Sequence, residues 1–338
     1  MATKIEINSM AVIVMSHDRP NLLDRSLRAI DRLKFDIPVR KIVSDTSDYK
    51  PKNKHGWEYL YRDPKLSWIE HFMVNLLETS EEWVLITSDD DEILPAFADY
   101  FNLKCQDKNV LLVSGLAETV DKFGNNFSHP GYASRLKNSK IKKSEYYLFS
   151  DLLNLQFRFG LLLPFQAMAI NRKAISKFNI SNPNQFSYVF DYLFCLLICA
   201  DNKHTKDLIA FKSDLPVFRY YLHGAQLSAD KQMEFEVPYQ TILAKIYILE
   251  KYGPFFTSKD KILVYRQTLK AIASARLNER NDKAIEIAAL LKSLGINNIY
   301  QLLVNFTLRI PFLLLFLLGK LGDAHNKIYW YFKKLLLG

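Results

Sequence analysis

From Ala11 to Met15 the chain is an unbroken apolar run rich in valine and isoleucine, which predicts a strand buried on both faces, as in a parallel sheet. The period then changes. Leu22, Leu23, Leu27, Ile30 and Leu33 fall at helical spacing, and Pro20 stands where a first helical turn tolerates a missing N–H. A second strand is predicted over Val39–Val43, ending at Ser44-Asp45-Thr46-Ser47-Asp48, and a third over Trp83–Thr87, ending at Ser88-Asp89-Asp90-Asp91-Glu92. Between them Trp68–Leu77 reads as a helix.

Strands alternating with helices imply βαβ units in an α/β fold, with ligands bound outside the carboxyl ends of the strands. The three polar turns therefore define one rim. A further strand pair, Val110–Ser114 and Ala117–Val120, precedes a polar stretch, Asp121–Lys143, whose Gly124, Pro130 and Gly131 mark it as a loop. From Gln240 the spacing turns helical, with amphipathic segments over Thr241–Lys251, Lys261–Leu277 and Ala284–Leu294. The expected organisation is a domain over residues 1–235, in two parts, 1–115 and 116–235, followed by a helical region over 236–338.

Composition narrows the class. Of 338 residues 49% are hydrophobic and 24% charged, the balance of a folded protein rather than a disordered one. A net charge of +9, with 23 Phe and 18 Tyr, favours an anionic partner surface. Lysine and arginine are scattered and no nucleic-acid module is visible, so no nucleic-acid partner is expected. Cys105, Cys195 and Cys199 give neither a disulfide framework nor zinc spacing, and Cys195 and Cys199 read as core thiols on one helix face. The run Met10–Met15 is too short for the core of a signal peptide, so a cytoplasmic location is expected.

The tail carries a separate signal. Leu302–Leu318 is apolar but holds Asn305, Arg309 and Pro311, which leaves Phe312–Leu318, far short of the ~20 residues that span a bilayer. After Gly322, Lys327, Tyr329, Trp330, Tyr331, Lys333 and Lys334 are interleaved with Ile328, Phe332 and Leu335–Leu337, the composition of an interfacial amphipathic helix. Residues 300–338 are therefore expected to lie on the inner face of the cell membrane. The other reading is a buried hairpin or dimer interface, which leaves the oligomeric state open.

Asp89, Asp90 and Asp91 follow one another at a strand end, where shared ionisation is costly. A divalent cation relieves that cost. Carboxylates suit Mg²⁺ or Mn²⁺, which substrate phosphates help to hold. The bland reading is an acidic turn capping the helix that follows.

Several blocks in order resemble the family 2 inverting glycosyltransferases of the GT-A fold. Val12-Ile13-Val14-Met15-Ser16-His17-Asp18-Arg19-Pro20 resembles the opening strand and nucleotide turn, with Asp18 where the family usually has Asn. Ile42-Val43-Ser44-Asp45-Thr46-Ser47 resembles the second strand, and Trp83 to Pro95 the DxD segment. Phe165 to Arg172 resembles the acceptor-side strand. Asp191 falls where the family has its catalytic base, although Phe190 replaces the preceding Glu. Arg219 to Ser228, which includes His223, resembles the late Arg/His/Ser segment near the donor diphosphate.

The resemblance implies a transferase moving sugar from a nucleotide-sugar to a hydroxyl of a glycan or lipid-linked glycan, in bacterial surface polysaccharide synthesis. It assigns Asp191 as base, and Ser16, Asp18, Arg19, Asp45, Asp89, Asp90, Arg219 and His223 to the nucleotide-sugar. A Mn²⁺ or Mg²⁺ cofactor would be held by Asp89, Asp90, Asp91 and His223. Each residue has a plainer reading: Asp191 as a helix N-cap, Asp18 as a cap of the first helix, Asp45 as an Asx turn, His223 as a turn histidine. Two other functions compete. A nucleotidyl- or phosphotransferase would use the same metal and sheet, but no P-loop or Gly-rich phosphate turn is present. A non-catalytic membrane-associated glycan-binding protein could share the fold.

Overall fold

The computed structural model describes residues 6–48, 54–63, 65–121, 125–127, 136, 141, 145–221, 233–277 and 280–293. The chain divides into two compact units, Met1–Asp230 and Lys231–Gly338.

The first unit begins with β1 (Glu6–Ser16), in which Met10 to Val14 are completely buried. Such burial requires cover on both faces, as the apolar run predicts. In α1 (Pro20–Asp31), Pro20 opens the helix and Leu23, Leu27 and Ile30 pack inward. There follow β2 (Val39–Asp45), β3 (Glu58–Tyr61), α2 (Trp68–Glu78), β4 (Glu81–Ser88), β5 (Glu92–Ile93) and α3 (Pro95–Lys104). Ser67 starts α2 with a capping box, its hydroxyl accepting from Glu70 N while the Glu70 carboxylate accepts from Ser67 N. Next come β6 (Val110–Val120), β7 (Asn126–Phe127), β8 (Tyr146–Leu148), α4 (Phe149–Phe159), β9 (Ala169–Asn171), α5 (Phe190–Asp201) and β10 (Leu208–Tyr221).

Among the described residues all ten strands join one sheet, in the order β3-β2-β1-β4-β9-β6-β10-β5, with β7 beside β6 and β8 beside β10. β1, β2, β3, β4, β6 and β10 share one direction, and the others oppose it. This is the mostly parallel α/β sheet that the sequence predicts. From β1 the chain moves outward to β2 and β3, then returns to β4 on the other side of β1, so a topological switch point lies between β1 and β4. On one face Met10, Val12 and Val14 pack with Leu27, Trp83, Phe97 and Phe101. Elsewhere Phe72, Phe165, Phe190 and Phe194 form an aromatic cluster with ring centroids 4.7–6.4 Å apart. Burying each such side chain is worth about 1.5–3 kcal/mol.

Two expectations change. The anticipated strand pair before Val120 is one continuous strand, β6. Gly115 lies inside it because β10 crosses closely: a Cβ there would stand 2.9 Å from Lys212 O and from both Val217 methyls. The acceptor-side block is a 3₁₀ turn (Phe165–Ala167) followed by the short β9, antiparallel to β4. Of the polar stretch predicted as a loop, most lies outside the described residues, and its described portion includes β7.

The second unit contains α6 (Met233–Tyr252), α7 (Ser258–Leu277) and α8 (Asn281–Ser293), each longer at its N-terminus than the spacing predicts. Ile242, Ile246, Val264, Ile272 and Ile287 are buried. The expected membrane-associating tail, 300–338, lies outside the described residues. Among the described residues no helix is long and apolar enough to cross a membrane.

Candidate functional site

The ends of β1, β2 and β4 converge at the switch point and are tied by side chains. Ser16 Oγ donates to Asp89 Oδ2 over 2.9 Å, and His17 N donates to the same oxygen at 3.3 Å. The β1 and β2 ends meet where Asp18 N donates to Ser47 Oγ (2.7 Å) and where His17 Nδ1 lies 3.2 Å from the backbone and side-chain oxygens of Thr46. Asp18 has φ +52, a left-handed conformation that Asn and Asp tolerate better than other non-glycine residues. Asp18 does not cap the first helix. Arg19 occupies the N-cap position, and no side chain caps there.

Asp45 is 1% exposed. Its Oδ1 accepts from Ser47 N (2.9 Å) and Ser47 Oγ (2.5 Å), while Oδ2 is buried without a hydrogen-bond partner among the described residues. The Asx turn expected as the plainer reading therefore exists, yet it uses only half of the carboxylate. Beneath it Ser44 Oγ lies 2.8 Å from His71 Nε2, and Arg62 Nε donates to the same hydroxyl at 3.4 Å. Burial, then the positive charge of Arg62, lowers the pKa of His71 to about 4.

At the acidic turn Asp89, Asp90 and Asp91 are all buried. Burial, followed by the charge of Asp90, raises the pKa of Asp89 to about 6 against the opposing pull of Arg19. The same two causes push Asp91 well above its usual range. Arg19 Nη1 stands 2.8 Å from Asp90 Oδ2 and 3.4 Å from Asp89 Oδ1, bridging the two. Asp91 belongs to other partners, accepting from Ser88 Oγ (2.9 Å) and Tyr221 N (3.2 Å).

A divalent cation can be held by one or two carboxylates together with the phosphates of its substrate. As folded, Asp89 Oδ1 and Asp90 Oδ2 converge on Arg19 Nη1, while Asp91 meets Ser88 and Tyr221. Arg19 fills the approach to Asp89 and Asp90, and among the described residues no group of three or more His, Cys, Asp or Glu side chains is gathered so as to hold a metal ion. His223, the fourth expected ligand, lies outside the described residues.

Arg219 is held by two carboxylates. Its Nε donates to Glu118 (2.6 Å) and its Nη1 to Glu92 (2.9 Å), and Tyr221 Oη donates to the same Glu92. These contacts brace β10 against β6 and β5. The cation the sequence did not single out is Arg25 of α1, whose Nη2 lies 2.5 Å from Asp90 O and whose guanidinium stacks 3.8 Å above the Tyr221 ring.

Asp191 sits in the first turn of α5, half-buried. The N-cap is Val189, so the capping reading fails. Asp191 Oδ1 accepts from Tyr192 N at 2.7 Å. Phe190 beside it packs edge-on against Trp68 of α2 at 5.5 Å, and Trp68 Nε1 donates to Ser187 O. The N-termini of α2 and α5 are thereby packed together. Cys195 and Cys199 are buried on α5, as expected of core thiols.

No family model matches the sequence, and no curated protein matches it. Among solved structures, residues 1–349 of S. aureus TarS superpose with a TM-score of 0.47 at 13% identity, covering 88% of this chain and 89% of that one. The same protein in complex with UDP-GlcNAc gives 0.47 at 12% identity, with the same coverage. A mycobacterial protein gives 0.45 at 15% identity, over 73% of this chain and 76% of the other.

Proposed function

We propose that this protein transfers a sugar from a nucleotide-sugar to a hydroxyl of a glycan or lipid-linked glycan, by direct displacement with inversion. The observation that carries the reading is the closed rim at the switch point, in which Ser16 is bonded to Asp89 while Asp45 keeps one buried carboxylate oxygen without a partner. A buried orphan acceptor favours a ligand that brings an N–H, as a nucleotide base does. Arg19, one-third exposed beside Asp89 and Asp90, and Arg25 supply positive charge for a diphosphate.

In this reading Ser16, Asp18, Arg19, Asp45, Asp89 and Asp90 form the donor side, and Arg219 acts at a distance by bracing the β10 end. Negative charge grows on the departing diphosphate as the anomeric carbon becomes oxocarbenium-like, and the guanidinium of Arg19 stabilises it without rearrangement. Asp191 takes the proton of the attacking hydroxyl on the face opposite the leaving group. The acceptor and the peripheral membrane contact through 300–338 belong to the same proposal and rest on sequence.

The test is product analysis after incubation with nucleotide-sugars of several bases and a glycan or lipid-linked acceptor. Release of nucleoside diphosphate with sugar on the acceptor supports the proposal. Release of sugar 1-phosphate, with the nucleoside monophosphate carried to the acceptor, points to nucleotidyl transfer instead, and no turnover of any nucleotide-sugar leaves a binding protein.

A further inference from the structure

We infer that Arg19 supplies at this rim the positive charge that the sequence assigns to a divalent cation, so that the protein binds a nucleoside diphosphate without metal. The inference rests on the nucleotide-sugar reading above.

Its basis is position. A cation coordinated by Asp89 and Asp90 would need the place that the Arg19 guanidinium holds, 3.4 Å from one carboxylate and 2.8 Å from the other. Both carboxylates are nearly buried, with side chains 4% and 10% exposed, so there is little room for a second approach. Asp91 faces Ser88 and Tyr221 rather than its neighbours. A metal held by these two carboxylates would therefore have to expel Arg19 first, even where substrate phosphates complete its coordination.

The arginine is also fixed from behind. Asp18, in its left-handed conformation, is anchored through its N–H to Ser47, and Pro20 follows Arg19 directly, restricting its backbone away from the helical region. From this N-cap position the Arg19 side chain reaches the β4 turn at Asp89 and Asp90. A guanidinium remains charged at any working pH and matches phosphate as well as carboxylate in geometry, so one group can hold the turn together and meet an incoming diphosphate. Arg25, bonded to Asp90 O, adds a second positive charge on the same turn.

The experiment is titration calorimetry of the full chain with UDP, GDP, CDP and dTDP, each in EDTA and each in Mn²⁺, with Mn²⁺ alone as a further titrant. One nucleotide is expected to bind in EDTA with a Kd within about threefold of its value in Mn²⁺, while Mn²⁺ alone gives no binding heat. Arg19→Ala is expected to weaken binding in EDTA by about 10- to 100-fold, the loss of a charge-assisted contact, and Arg19→Lys by less. Binding that appears in Mn²⁺ and vanishes in EDTA overturns the inference but leaves the transferase reading intact. So does unchanged metal-free affinity in a folded Arg19→Ala. Failure of every nucleotide under both conditions overturns both. The wild-type comparison decides the matter by itself if the alanine variant does not fold.

Discussion

The hydroxyl of Ser16 donates to Asp89 Oδ2 over 2.9 Å, and this bond joins the end of β1 to the end of β4 across the switch point of the sheet. It holds Asp89 in a place that is expensive for a charge. With its pKa raised to about 6 by burial and by Asp90, the folded protein binds a proton at Asp89 that the unfolded chain releases near 3.8. Stability from this group is therefore lost as pH rises from about 4 to about 6, and ionised Asp89 is a burden at neutral pH. Asp89→Asn keeps an acceptor for Ser16 and removes the charge. Denaturant unfolding should show it more stable than wild type by on the order of 1–3 kcal/mol at pH 7–8, with the gain shrinking to nothing near pH 4. A variant that is less stable at pH 8 would show that Arg19 outweighs burial.

Asp191→Asn separates chemistry from binding. The side chain lies in the first turn of α5, where a carboxylate is favoured by the helix dipole by about 0.3–1 kcal/mol, so the variant should fold with little loss. As the base, Asp191 should account for about 10²–10⁴ in kcat for acceptor-dependent release of nucleoside diphosphate. Nucleotide Kd should stay within about threefold. Transfer retained at more than a tenth of the wild-type rate would remove Asp191 from the mechanism.

What the sequence revealed and what it concealed follow from how each element is buried. β1 was legible because Met10 to Val14 are wholly covered on both faces, which only an unbroken apolar run can satisfy. β3 was not, because at the sheet edge Glu58 to Tyr61 are exposed or half-buried and carry no periodic signal. The gap at residues 115–116 between the two expected strands lies inside β6, and Gly115 answers to the approach of β10, which no local pattern encodes. The rim itself was legible, since polar runs at the ends of three parallel strands must come together. Its internal pairing was not: Arg25 has the same helical context as Arg28, yet Arg28 pairs with Asp24 at the surface while Arg25 reaches Asp90 O. The partners of Arg219 were equally hidden, because Glu118 lies on a strand remote in sequence and only the β6–β10 pairing brings it within 2.6 Å.

Asp45→Asn tests the base-binding assignment. The buried Oδ2 lacks a partner, so its loss costs the free protein little, and the Ser47 bonds to Oδ1 can be kept by the amide oxygen. A base N–H that donates to this oxygen would meet an amide N–H₂ instead. The Kd for the preferred nucleoside diphosphate should rise by about 10- to 100-fold, the worth of a hydrogen bond to a charged group, with the melting temperature equal to or above that of wild type. Unchanged affinity would place the base elsewhere.

His71 supplies a pH effect of opposite sign to that of Asp89, and the pair offers a sharper test than either alone. In the folded protein it is buried against Ser44 and Arg62 and takes up a proton only near pH 4, whereas the unfolded chain does so near 6.5. The unfolded state therefore binds more protons between these values, and the His71 contribution is present above pH 6.5 and lost as pH falls toward 4. Two and a half pKa units set its ceiling at about 3 kcal/mol. Asp91, pushed the same way as Asp89, adds its own slope to wild type and to each variant alike, so the differences from wild type carry the information. Relative to wild type, Asp89→Asn should gain stability as pH rises from 4 to 6. His71→Gln should lose it over 4 to 6.5, whatever its offset from altered packing. Urea unfolding of the three proteins across pH 4–7 gives both differences. Parallel curves would mean that neither group titrates differently on folding, and the account of a buried, charged rim at the end of β1 would fail with them.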